Sequence, residues 1–364
     1  MHKTAASPLA LIYAALIVYA SLYPFTDWRD QGNDFWTFLL APWPRYWTGF
    51  DAGINVIGYL PFGGLLTLSA LRSGRTDRPL LFAFVCATLL ALAMEALQSY
   101  LPVRVASRED WLLNSAGAWI GAVCTLAMEH WGAIDRWSHF RRRWFVESAR
   151  GGLVLLATWP LALLFPPGIP FGLGQIFERI EADIAERLAE TPFLDWLPVR
   201  DIELEPLLPV TEALCVMLGL LIPCLLAFCI MRPGMRRLLA APLVIGLGVL
   251  VTALSAMLSW GPAHAWAWLD APAQVGLLAA LLLSPLLSLV PARASAALVL
   301  LGLGLYLGIL NRAPANPYFA QTLQAWEQGR FIRFNGLAQW LGWVWPYAVL
   351  VYVLSLVWRR DANN

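Results

Sequence analysis

Ten apolar runs constrain this chain more than any other feature. They lie at 8–25, 52–71, 79–101, 111–130, 152–167, 207–231, 238–260, 271–290, 294–311 and 338–358. A membrane-spanning helix needs about 20 mostly apolar residues. Inside a bilayer no water is present to satisfy backbone N–H and C=O groups, so each span must satisfy its own by forming a helix. The predicted fold is therefore all-α: a polytopic transmembrane bundle of about ten spans. Composition agrees. Of 364 residues, 59% are hydrophobic and 13% charged, against about 25% charged in soluble proteins. The 19 tryptophans suit the membrane–water boundary. The fifth run is the weakest, because Pro160, Pro166 and Pro167 crowd it.

The net charge of +1 excludes no class of partner, but the placement of the charges orients the chain. Arginine clusters follow the second, fourth, sixth, eighth and tenth runs: 72–78, Arg136 with Arg141–Arg143 and Arg150, 232–237, Arg293, and Arg359–Arg360. Cytoplasmic loops collect Lys and Arg, so both termini are predicted to be cytoplasmic. Three regions result: a four-helix membrane domain at 1–131, a basic linker at 132–150, and a six-helix region at 151–364. Arg141–Arg143 read as an anchor on anionic lipid. The loop 168–206 on the outer side is acidic. Within it Ile176, Phe177, Ile180, Ile184 and Leu188 share one face of an amphipathic helix predicted to lie in the interface. A second interfacial helix, with Trp326 and Phe331 as anchors, is predicted within 312–337.

Two of the spans begin with the same polar ladder. DAGINVIG at 51–58 and DWLLNSAG at 110–117 each place Asp, Asn and Gly at positions one, five and eight. Residues at i, i+4 and i+7 share a helix face. Asn55 and Asn114 should therefore lie one turn below Asp51 and Asp110. Gly58 and Gly117 lie deeper still, where glycine lets a neighbouring helix approach closely. The two Asp residues are predicted to cap their helices. Between the ladders stands Glu95, followed by Gln98 and Ser99. At about 1.5 Å per residue the Glu95 carboxyl sits about 10 Å below the outer boundary. An ionisable group at that depth faces a partner or a polar cavity, and Arg104 and Arg108 in the short following loop are the nearest partners. Asp51, Asn55, Glu95, Gln98, Arg104, Arg108, Asp110 and Asn114 are thus predicted to line one outward-facing polar pocket. As simple caps, interhelical amide bonds and a buried ion pair, the same residues also make sense without any ligand.

These residues carry a family resemblance. FDAGINVIGYLPFGGLL, followed by AMEALQSYLPVRVASREDWLLNSAGAWIGA, resembles the VanZ-like domain over about 9–130. The matching pattern is N-x(5)-P-x-G at Asn55, Pro61 and Gly63. It continues as E-x-x-Q at Glu95 and Gln98, then Arg104 or Arg108, Ser107, Asp110, Asn114 and Gly117. That family is named for a protein associated with resistance to a glycopeptide antibiotic. The resemblance implies a bacterial cell-envelope protein of the inner membrane, and it implies no particular reaction.

A shift of 160 positions lays the second to fourth runs on the sixth to eighth, with Tyr100 on Trp260 and Asp110 on Asp270. This suggests a parallel duplication. Glu95 falls on Ser255, Asn55 on Cys215 and Asn114 on Gln274, so the second half is expected to keep the scaffold and lose the pocket.

The four histidines are scattered without ligand spacing, and the five cysteines all lie in apolar runs, so no metal site or disulfide framework is expected. No nucleophile elbow or phosphate loop is present, and no cofactor or nucleic-acid partner is expected. Three functions remain. The first is binding of the headgroup of an anionic envelope lipid or lipid-linked glycan precursor, with the arginines meeting its charge. The second is a structural subunit of an envelope polysaccharide or resistance system. The third is an enzyme with Glu95 as general base and Asp110 as its partner.

Overall fold

The computed structural model describes residues 6–23, 25–32, 34, 36–41, 49–74, 78–189, 191–193, 207–313 and 332–361. Among these residues the secondary structure is helical, with no strand. The helices are α1 (Ala6–Leu22), α2 (Thr37–Leu40), α3 (Gly49–Ser73), α4 (Pro79–Gln98), α5 (Arg108–His130), α6 (Ala133–Trp144) and α7 (Arg150–Leu163). There follow α8 (Phe177–Leu188), α9 (Pro209–Ile230), α10 (Met235–Trp260), α11 (Ala271–Ser288), α12 (Ala292–Leu310) and α13 (Ile332–Asp361). Each of the ten apolar runs holds a helix. Among the described residues eight helices are long and apolar enough to cross a membrane, while α1 and α7, at 17 and 14 residues, are shorter. The bundle keeps leucine on its outside. Leu243, Leu247, Leu250 and Leu254 form an exposed stripe on α10, and Leu278, Leu282, Leu286 and Leu289 follow along α11 and its end. Stripes of that extent belong against lipid rather than water.

The chain divides into two compact units, Met1–Phe140 and Arg141–Asn364. In unit 1, α3 packs on α5, α4 and α1. The α3–α5 crossing is built from small residues. A Cβ placed on Gly117 would stand 2.2 Å from the Val56 carbonyl oxygen, and one on Gly121 would stand 1.9 Å from that of Leu60. One on Gly63 would stand 2.0 Å from that of Ala118. These helices touch backbone to backbone, as small residues permit in membranes. Helix α4 adds Ala83, Ala87 and Ala91, three fully buried alanines four residues apart. Gly117 therefore does what its place in the ladder predicts. Gly58 does not: nothing lies within 4 Å of its Cβ position, and its carbonyl instead accepts from Tyr13 Oη at 2.9 Å.

In unit 2, α9 is the central helix. Every residue from Gly219 to Ile230 is buried, and α7, α10, α11 and α12 pack around it. Helices α3, α4 and α5 start at 49, 79 and 108, and α9, α10 and α11 at 209, 235 and 271. The offsets are 160, 156 and 163 residues, close to the register expected from sequence. Helix α7 packs on α9 and α10 as α1 packs on α3 and α4.

Helix α7 stops short because Pro166 and Pro167 follow it, and a residue preceding proline is pushed out of the helical region. The chain then runs as irregular backbone through 164–176 with Phe165, Ile169, Phe171 and Leu173 buried. The first part of the segment expected as an outer loop is thus packed into unit 2. Backbone buried in this way needs partners, and α12 and α13 supply them. Tyr306 Oη donates to Phe171 O at 2.6 Å and accepts from the Leu173 N–H. Asn311 Nδ2 and Tyr347 Oη both donate to Gly174 O, at 3.2 and 3.0 Å. Helix α8 follows, with Ile180 and Ile184 exposed on its apolar face. Trp326 and Phe331 lie outside the described residues.

Gly117→Ala and Gly121→Ala should each lower the thermal stability of the purified protein in detergent by about 1–3 kcal/mol, the usual range for overpacking. Gly58→Ala, with open space around it, should be neutral or slightly stabilising. Thermal unfolding of the three variants checks the contrast.

Candidate functional site

The N-terminal ends of α3 and α5 and the C-terminal ends of α4 and α1 meet at one end of unit 1, and the predicted polar residues gather there. Helix α5 opens on Ser107, whose Oγ accepts from the backbone N–H groups of Glu109 (3.1 Å) and Asp110 (3.5 Å). The Ser107 N–H in turn donates to Glu95 Oε2 at 2.9 Å. In a capping box a glutamate three residues into the helix makes this return bond; here α4 supplies it across the bundle. Glu95 is 2% exposed. Its carboxylate is placed at the positive end of the α5 dipole, which favours a negative charge there.

Gln98 and Arg104 serve the opposite kind of helix end. Gln98 Nε2 donates to Ser21 O at 3.0 Å. Arg104 Nη2 donates to Tyr23 O at 3.0 Å and to Ala20 O at 3.4 Å. These are carbonyls at the C-terminus of α1, which lack helical partners and carry the negative end of the dipole. Arg108 reaches elsewhere: its Nη1 donates to Leu39 O on α2 at 3.4 Å. The two arginines thus have different jobs. Arg104 is buried in the bundle, and Arg108 ties α2 to the start of α5. Arg29 N–H and Gln31 Nε2 fasten the chain after α1 to Tyr100 O (3.0 Å) and Ser99 O (2.8 Å).

The ladder residues join across the α3–α5 crossing. Asn55 Nδ2 donates to Asp110 Oδ1 at 2.6 Å, and Asn114 is buried one turn below Asp110. Asp110 lies in the first turn of α5 and leaves the cap to Ser107. Helix α3 begins at Gly49, so Asp51 lies within its first turn; its side chain is outside the described residues. Seven of the eight predicted site residues can therefore be located, and the structure gathers them at one end of unit 1.

Two features were missed. The cap at Ser107 was legible as Ser-Arg-Glu-Asp, a serine with an acid three residues on. Tyr59 was legible only as the residue four beyond Asn55. Its ring is 5% exposed and sits within electrostatic reach of Glu95. Among the described residues, Tyr59 Oη and Gln98 Oε1 are buried polar atoms without a hydrogen-bond partner. Such atoms are uncommon and mark a place where something polar belongs. No group of three or more His, Cys, Asp and Glu side chains converges anywhere among the described residues.

Helices of this length and polarity, with a polar cluster confined to one end of unit 1, define a multi-pass α-helical membrane protein. Residues 8–129, which hold α1 to α5 almost entirely, match the model of the VanZ/LLP1 family. The recurrent residues of the resemblance now have physical roles. Gly63 and Gly117 are contact points of α3 with α5, Glu95 and Ser107 cap α5, and Gln98 and Arg104 cap α1. No curated protein and no solved structure matches the chain.

Glu95→Ala should cost about 1–3 kcal/mol, because it leaves the Ser107 N–H without its acceptor. Glu95→Gln keeps an acceptor oxygen and should recover much of the loss. Unfolding of both variants in detergent measures the difference.

Proposed function

We propose that this is an inner-membrane protein of the bacterial cell envelope, with both termini cytoplasmic. In this reading the polar end of unit 1 faces outward and receives the headgroup of an anionic envelope lipid or lipid-linked glycan precursor. The observation that carries it is the pair of unpartnered buried atoms, Tyr59 Oη and Gln98 Oε1. One is a donor and the other an acceptor. Tyr59 packs in the apolar cluster of unit 1 with Phe62 and Met94, and Gln98 gives its Nε2 to the end of α1. A headgroup hydroxyl accepting from Tyr59 and donating to Gln98 satisfies both. Arg104 and Arg108 supply positive charge for a phosphate, and Asp51, Asn55, Asp110 and Asn114 form the rest of the wall. The shared helix spacing and packing order of α3–α5 and α9–α11 support a duplication of this scaffold.

A specific observation also favours a second reading, a scaffold subunit without ligand: the capping bonds of Glu95, Gln98 and Arg104 are complete reasons for those residues to exist. An enzymatic role for Glu95 gains less support, because its carboxylate is engaged by the α5 N-terminus.

Tyr59→Phe separates the first two readings by sign. If the hydroxyl holds a headgroup, lipid co-purifying with the variant falls at least several-fold by mass spectrometry. If the site is only a scaffold, removing an unsatisfied buried hydroxyl raises stability by about 1 kcal/mol, and bound lipid is unchanged. The second result defeats headgroup binding.

A further inference from the structure

Unit 2 holds a cleft of about 380 Å³ at the end where α9 and α11 begin and α10 finishes. This is the place in unit 2 that corresponds to the polar end of unit 1, where the sequence register led us to expect a lost site. One wall is the irregular, buried proline segment after α7, through Pro166, Pro167 and Pro170. Phe171, next to it, holds φ at 61°, a left-handed conformation costing about 1–2 kcal/mol for a non-glycine residue. The bonds from Tyr306 hold it there. The remaining walls carry Glu212, Asp270, His264, Thr252, Trp260 and Trp268.

The chemistry of these walls is one-sided. Glu212 and Asp270 lie close enough to repel one another, and no Arg or Lys lines the cleft among the described residues. Thr252 is 6% exposed, and its Oγ1 is buried without a hydrogen-bond partner. His264 Nδ1 is held by Trp260 O at 2.9 Å, which leaves Nε2 as the free ring nitrogen. Asp270 Oδ1 caps α11 through the Ala273 N–H at 2.9 Å, which leaves Oδ2 for another donor. Two carboxylates therefore compete for positive charge beside two indole rings, whose faces attract cations. An anion would meet repulsion from both acids.

We infer that this cleft binds the protonated primary amine of a small ligand or of a lipid headgroup, its ammonium shared by Glu212 and Asp270 over the Trp260 and Trp268 rings. The ammonium N–H groups donate to the two carboxylates, and Thr252 Oγ1 gains a partner from the same group. The inference is independent of the reading of unit 1. It gives the two ends opposite selectivity, with arginines in one and acids in the other.

The test uses the full chain in nanodiscs of phosphatidylglycerol, probed with ethanolamine by ligand-observed NMR, and with glycerol and inorganic phosphate as comparisons. We expect saturable binding of ethanolamine alone, weakened at least tenfold in Glu212→Gln/Asp270→Asn. Asn is as good a helix cap as Asp, so that variant keeps α11 closed. Thr252→Val, a near-isosteric change, should weaken binding several-fold and serves if the double variant does not fold. A second arm distinguishes the source of the amine. The protein is purified from a membrane containing phosphatidylethanolamine, and its bound lipid is measured by native mass spectrometry. Retention of that lipid by the wild type but not the variants assigns the amine to a headgroup. Its absence, with ethanolamine still binding, assigns it to a soluble ligand. If neither arm shows amine binding, or if the variants bind like the wild type in both, the inference is overturned.

Discussion

The contact on which unit 1 depends is the backbone-to-backbone approach of α3 and α5. At Gly63, Gly117 and Gly121 there is no room for even a methyl group. Lipid offers no hydrophobic drive to bring two apolar helices together, so close van der Waals contact and interhelical hydrogen bonds must do it. That approach also fixes the polar end. Asn55 and Asp110 sit about two to three turns from these glycines, and Asn55 Nδ2 reaches Asp110 Oδ1 at 2.6 Å. A wider crossing would separate them and leave both polar groups in a medium that cannot solvate them.

Beyond that crossing, the polar residues of unit 1 answer a second demand of the membrane. A helix end leaves several N–H or C=O groups unsatisfied. Where an end is covered by protein, side chains must do what water does elsewhere. Glu95 does this for the start of α5 and Gln98 with Arg104 for the end of α1. The segment after α1 is fastened to the same end by Arg29, Gln31 and Arg108. Unit 2 uses the same device with different residues. Arg237, 2% exposed, donates to Met231 O at the end of α9 and to Val290 O just past α11. Tyr306 and Asn311 do the same for the irregular segment behind α7.

The two units differ in what fills the end where their second and fourth long helices begin. In unit 1 the end is filled by side chains that satisfy one another and the backbone, with Tyr59 Oη and Gln98 Oε1 among the described buried atoms that have no partner. In unit 2 proline-rich backbone enters in place of a longer α7. It cannot pack as a helix does, and a cleft remains between it and α10.

The sequence by itself determined the class of the fold, the position of every long helix, and the gathering of Asn55, Glu95, Gln98, Arg104, Arg108, Asp110 and Asn114 at one end. Those follow from the length of apolar runs and from helical periodicity, which are local and strong in a chain forbidden to leave its backbone bare in lipid. Only the tertiary structure decided what each residue does. Ser107 caps α5 where Asp110 was expected to, Arg104 and Arg108 take separate partners, and Gly117 is a contact point while Gly58 is not. The buried run after α7 and the cleft beside it were likewise invisible, because a proline-rich segment looks alike in sequence whether it lies outside a bundle or inside. Which carbonyl a side chain meets depends on the distance and rotation between helices. Those are set by packing between residues far apart in the chain, and no local pattern records them.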